Sequence, residues 1–196
     1  MTKYSLKTLT TAALSSAILL SGMSAAHAEA QTYTLDASHT AITWHIDHFG
    51  FSKPSGKFMD VEGHVALDEQ NPENSSVEVI IPINQINTGV EKLDEHLKTA
   101  DFFDVANHPT AKFTSTKVTL TGEKTATVEG NLTLHGVTKP VTLDVTLNKL
   151  AENMFKKQTA GITASTTIKR SDFGITTYLP NLGDEIAIEI ESEANL

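Results

Sequence analysis

Residues 141–147 read Val141-Thr142-Leu143-Asp144-Val145-Thr146-Leu147. Successive side chains of an extended strand point to opposite faces, so the four apolar residues share one face and Thr142, Asp144 and Thr146 share the other. The same alternation continues in both directions. Upstream it sets Val128, Leu132 and Leu134 on one parity, then Val77, Val79, Ile81 and Ile83, then Val61, Val65 and Leu67, then Ile42, Trp44 and Ile46. Downstream it groups Ile162, Ala164 and Ile168, and sets Ile186, Ile188 and Ile190 against Glu185, Ala187, Glu189 and Glu191. The 23 threonines beyond residue 28 are β-branched residues suited to the wet face of a sheet.

This pattern predicts about eight antiparallel strands near 39–48, 57–67, 76–86, 110–120, 124–135, 139–150, 159–170 and 184–194. Asn71-Pro72, Thr121-Gly122, His135-Gly136 and Leu182-Gly183 supply turn signals between them. An all-β chain of this kind forms a barrel or a sandwich. Strands longer than ten residues suit a tilted barrel, which also removes exposed edges and at eight strands can hold one small ligand. A short helix is expected near residues 89–104. Thr88 and Glu91 have capping-box spacing, and Leu93, His96, Leu97 and Ala100 fall on one helical face.

Residues 1–28 combine Lys3 and Lys7, an apolar run from about Leu9 to Leu20, and Ala26-His27-Ala28. That order describes a secretory signal peptide cleaved after Ala28, and the apolar run is too short and too interrupted by Thr and Ser to span a membrane. The expected organisation is therefore a leader at 1–28 and one exported, periplasmic domain at 29–196. Loss of Lys3 and Lys7 leaves 13 basic residues of the original 15 against 24 acidic ones, a net charge of −11. Such a charge argues against nucleic acid and against anionic lipid surfaces. The chain has no cysteine, which excludes disulfides, iron–sulfur clusters and thiol catalysis, so stability has to come from a core.

The sequence contains no Gly-x-Ser-x-Gly elbow, no His-Glu-x-x-His and no glycine-rich phosphate loop. Seven histidines follow the leader: His39, His45, His48, His64, His96, His108 and His135. His45 and His48 lie three apart on a strand and point to opposite faces, while Asp94 and His96 diverge by about 200° on a helix. Without a bulge neither pair chelates one ion, and no metal or other cofactor is expected; coordination by residues distant in sequence is left open. His96 shares a face with Leu93 and Leu97, which places a polar group either in a satisfied helix environment or at the rim of an apolar cavity. Phe49, Phe51, Phe102 and Phe103 cluster at strand ends and loops, where a barrel opens. Lys139, Arg170 and Asp172 are candidate polar groups beside them.

Five segments follow one another along the chain: DASHTAITWHIDHFG at 36–50 followed by Gly56-Lys57-Phe58, the Asp94–Lys98 helix with Asp101-Phe102-Phe103-Asp104, and Pro109 with Phe113-Thr114-Ser115-Thr116. LTLHGVTKP at 132–140 and Arg170-Ser171-Asp172-Phe173-Gly174-Ile175 complete the set. In this order, from residue 33 to residue 194, they resemble the YceI-like periplasmic proteins, also described as polyisoprenoid-binding proteins. Leu93 stands where the family often has Arg, so no head-group role is carried over there. The resemblance implies a lipocalin-like eight-stranded barrel that binds an isoprenoid lipid, such as a polyprenyl phosphate or a quinone tail. On this reading the chain is a carrier and not an enzyme. Phe49, Phe58, Leu97, Phe102, Phe103 and Phe113 would line the pocket, with His96 and Arg170 at the head group; a homodimer is left open. The competing reading is an enzyme using His39, His96 or His135 with Asp94 or Asp172, which requires two histidines and a carboxylate to converge. A third is a barrel filled by its own side chains.

Overall fold

The computed structural model describes Met1 and residues 30–196, so the expected leader lies outside the described residues apart from its first residue. Eleven strands form one sheet: β1 (Gln31–Leu35), β2 (Ala41–His48), β3 (Ser55–Phe58), β4 (Glu62–Leu67), β5 (Ser76–Pro82), β6 (Ile86–Asn87), β7 (Thr110–Leu120), β8 (Thr125–Leu134), β9 (Val137–Glu152), β10 (Gln158–Lys169) and β11 (Leu182–Asn195). All pairings are antiparallel. β1 and β2 lie end to end along β11, β3 and β4 along β2 and β1, and β5 and β6 along β4 and β3. The strands therefore occupy eight positions in an up-and-down barrel, closed where β11 meets β1 and β2.

Two predicted strands, 57–67 and 76–86, are thus interrupted, and the first, 39–48, is preceded by an unpredicted strand, each for a local reason. The unpredicted strand starts at Gln31, and the chain bends after it at a 3₁₀ turn, Ala37–His39, whose N-cap Asp36 accepts from Ser38 N at 3.0 Å. The 57–67 strand breaks at Asp60, which adopts a left-handed backbone (φ 55°). The 76–86 strand breaks at the 3₁₀ turn Ile83–Gln85. Leu182-Gly183 is no turn but the start of β11. A Cβ on Gly183 would meet Asp47 at 3.1–3.2 Å, so glycine lets β11 approach β2 there.

The helix, α1 (Glu91–Leu97), is shorter than predicted. Its capping differs too: Thr88, not paired with Glu91, donates from N and Oγ1 to Asp94 Oδ1 at 2.7 and 2.6 Å. Because the helix stops at Leu97, Ala100 leaves the predicted face. Leu93 is exposed and Leu97 alone is buried.

The barrel has two unlike ends. At one, Trp44, Phe58, Ile83, Leu97, Phe102 and Ile175 belong to a dense buried cluster, covered by α1 and the loop that follows it. Toward the other end the inward residues of β9 (Val141, Leu143, Val145 and Leu147) are only half-buried, although they face the interior. Apolar side chains that face inward yet stay accessible mark a hollow.

Candidate functional site

The hollow is an apolar cavity of about 440 Å³ inside the barrel. Its wall includes Val79, Leu132, Val141, Leu143, Ile188 and Ile190, the inner parity of four strands. Ile42 and Val61 belong both to this wall and to the dense cluster, so the cavity rests on that cluster as on a floor. Phe113 is buried in the cavity wall, outside that cluster. A Cβ on Gly130, across the β7–β8 pairing, would come within 2.3 Å of the Phe113 ring, so glycine provides the space in which the ring lies.

The cavity reaches the opposite end of the barrel between the turns at 68–75 and 121–124, where Glu69, Glu123 and Lys124 contribute to its lining. Tyr33 is fully buried in a small cluster with Ala160 and Ala194, against which the wall residues Leu35, Leu67 and Leu150 pack. Its hydroxyl has no hydrogen-bond partner among the described residues. Burial, and then the charge of Glu69, push this phenol above its ordinary pKa. Deeper in, Thr40 and Ser192 hydroxyls satisfy one another at 2.9 Å.

Of the eight residues predicted to bind a ligand, Phe113 lines this cavity. Phe58, Leu97 and Phe102 are buried in the floor, and Phe103 packs edge-on to Phe58 with ring centres 5.7 Å apart. His96 sets its ring edge against Phe102 at 5.1 Å. Phe49 sits in the β2–β3 turn with φ 57°, exposed. Phe58, Phe102 and Phe103 thus lie at the solid end, not at the mouth. Lys139 and Asp172 also lie outside the cavity wall.

Arg170 is 4% exposed and tied into the backbone. Its guanidinium donates to the carbonyls of Gly183 (2.7 Å), Ile175 (3.1 Å) and Leu182 (3.1 Å), holding the β10–β11 connection against the start of β11. Burial lowers its pKa, against the opposing effect of Asp184. Burial by itself would raise the Asp184 carboxyl. Hydrogen bonds from Ser171 N and Oγ, at 2.9 and 2.8 Å, together with the Arg170 and Lys169 charges outweigh it and hold the group below its ordinary range.

Of the residues named for the competing enzyme reading, His39, His96 and Asp94 are engaged elsewhere, whereas His135 does meet a second histidine and a carboxylate, though not the carboxylates expected. His39 pairs with Asp36 near the surface, Asp94 serves Thr88, and His96 faces Phe102. The group that converges is Asp104, His108 and His135, each half-buried, each with one ligand-capable atom within 4.8 Å of the others. His108 and Asp104 were missed because 27 residues separate His108 from His135 in sequence. The His135-Gly136 turn and the Asp104-x-x-x-His108 spacing were the available signals.

Fold and cavity define a hollow up-and-down barrel, solid at one end and apolar within. The chain belongs to the YceI-like family: the model of the YceI-like domain matches residues 33–194. A UPF0312 protein of Pseudomonas putida is 42% identical over 171 residues, covering 86% of this chain and 87% of the relative. One of Pseudomonas aeruginosa is 38% identical over 189 residues, covering 95% and 96%. Among solved structures, a YceI protein of Campylobacter jejuni superposes with a TM-score of 0.70 at 32% identity, over 74% of this chain and 86% of that one. A polyisoprenoid-binding domain from Saccharophagus degradans shares the fold with a TM-score of 0.66 at 16% identity, over 83% and 97%. Among the described residues no helix is long and apolar enough to cross a membrane.

Proposed function

We propose that this protein is an exported, periplasmic, non-enzymatic carrier that takes the tail of an isoprenoid lipid into its barrel. The observation that carries the reading is the apolar cavity of about 440 Å³, within the range of small-molecule sites and reaching one end of the barrel. The fold shared with a domain described as polyisoprenoid-binding supports it. Ten buried tail carbons, two isoprene units, offer about 8 kcal/mol before the ordering of the chain is subtracted. The wall then supplies strength, and the rim selects.

Phe113 and the aliphatic wall contact the tail, while Phe58, Leu97, Phe102 and Phe103 form the stop beneath it. At the rim Glu69 and Glu123 outnumber Lys124, and the domain beyond residue 28 is strongly acidic. That balance favours an uncharged head group, a quinone or a polyprenol, over a polyprenyl phosphate, because like charges repel in a partly desolvated mouth. The test is purification from the native host without detergent, followed by solvent extraction and mass spectrometry. One prenylquinone or polyprenol per chain supports the reading. Empty protein that also refuses added prenyl lipid defeats it.

A further inference from the structure

We propose that Asp104, His108 and His135 form a site for one Zn²⁺ ion at the solid end of the barrel, apart from the lipid cavity. Two imidazoles and one carboxylate form a three-ligand protein set suited to zinc. Their ligand-capable atoms already lie within 4.8 Å of one another. A tetrahedral zinc site with bonds of 2.0–2.1 Å separates its ligands by about 3.4 Å, a closure that side-chain rotation provides.

The tautomer of His135 fits this role. Its Nδ1 lies 2.9 Å from the carbonyl oxygen of Phe173. A carbonyl can only accept, so Nδ1 carries the proton and donates, and Nε2 of the neutral ring keeps its lone pair. Zinc-ligating histidines are commonly oriented in this way, the far nitrogen donating to a backbone carbonyl. The acceptor is firmly placed, since Phe173 is buried.

His108 is available for a different reason. Neither of its ring nitrogens has a hydrogen-bond partner among the described residues, although the side chain is half-buried, and its ring meets that of His135 at 5.1 Å. A Cβ on Gly136 would strike the His108 ring at 2.6 Å, so the glycine next to His135 provides the space that the second imidazole occupies. Asp104 accepts from Asn107 Nδ2 at 2.8 Å through Oδ2, leaving Oδ1 for an ion, and its carbonyl accepts from His108 N at 2.8 Å. The backbone is strained at two of the three positions: Asp104 and His135 hold φ of 47° and 50°. Positive φ at non-glycine residues is uncommon and collects at functional sites. The ion would join the loop after α1 to the β8–β9 turn and, through Phe173, to the β10–β11 connection.

The test is zinc titration of chelator-stripped protein by calorimetry, with Co²⁺ as a visible-absorbing substitute. The expected result is one ion per chain, a tetrahedral Co²⁺ spectrum, and a zinc-dependent rise in melting temperature. His135→Asn and Asp104→Asn keep a side chain that tolerates positive φ, and each should weaken zinc binding about tenfold or more, as should His108→Ala. The H108A/H135N double variant should lose the site, and His64→Ala should bind as the parent does. Near-ultraviolet circular dichroism of each variant establishes that it is folded. Failure of the folded parent to take up zinc overturns the proposal, and so does uptake that survives unchanged in the folded double variant. Neither result depends on what the cavity holds.

Discussion

The same eight strand positions run through a solid half and a hollow half, and the two differ in side-chain size and not in pattern. In the solid half Trp44, Phe58, Phe102 and Leu97 fill the interior, with α1 and its following loop laid over the end. In the hollow half the inward positions carry mostly Val, Leu, Ile and Ala, with Phe113 the one large ring, and among the described residues no α-helix covers the turns at 68–75 and 121–124. One half stores the stability that allows the other to stay empty. A domain without cysteine has few other ways to maintain an internal void.

Truncations should separate the halves by energy. Phe102→Ala removes a ring buried in the floor and should destabilise the fold by about 4 kcal/mol, read as a lower urea midpoint. Arg170→Met keeps most of the volume but leaves the carbonyls of Gly183, Ile175 and Leu182 without their donor. A loss of about 3 kcal/mol is expected from the same measurement. Leu143→Ala, in the hollow wall, should be mild by contrast at about 1 kcal/mol. A half-exposed side chain gives up part of its transfer free energy, and the space it vacates adds to a void already there. If Leu143→Ala proves as damaging as Phe102→Ala, the hollow is not hollow in solution. Of the three, Leu143→Ala should be the one that lowers prenyl-lipid uptake by the folded protein.

The contrast between halves also explains what could be read from the chain. Alternation along residues 141–147 and its neighbours defines the barrel because every strand repeats the same inside parity. Which end is filled is another matter. Alternation is identical in both halves, and Leu143 in the wall cannot be told from Trp44 in the floor by its position in the pattern. Phe102 and Phe103 were expected where the barrel opens, but loops occur at both ends, and these two lie at the plugged one. Arg170 illustrates a second limit. Its motif is conspicuous, yet its partners are backbone carbonyls at residues 175, 182 and 183, whose approach depends on Gly183 fitting against Asp47. The Asp104–His108–His135 group needs a loop, a hairpin and the Gly136 gap to converge, and none of these can be inferred from spacing alone.

The smallest expected effect lies at the joint between the halves. β1 serves the hollow half by pairing with β4, β2 serves the solid half by pairing with β3, and the Asp36 turn passes the chain from one to the other. Asp36 is held at a pKa of about 2 by the Ser38 hydroxyl first and then by the His39 ring. His39 is raised above 6.5 by its hydrogen bond to Asp36, then by the charges of Asp36 and Glu193. The depressed carboxyl contributes stability that is complete above its ordinary value of 3.8 and is lost as pH falls toward about 2. The raised imidazole contributes stability that is complete below 6.5 and is lost as pH rises through its higher folded value. The pair therefore stabilises most between these limits. The gap in urea midpoint between parent and Asp36→Asn should be widest near pH 5, narrower at pH 8 and smallest below pH 3. Because both groups are near the surface, salt should shrink that gap, and a gap independent of pH and salt would mean that the turn is held by its backbone alone.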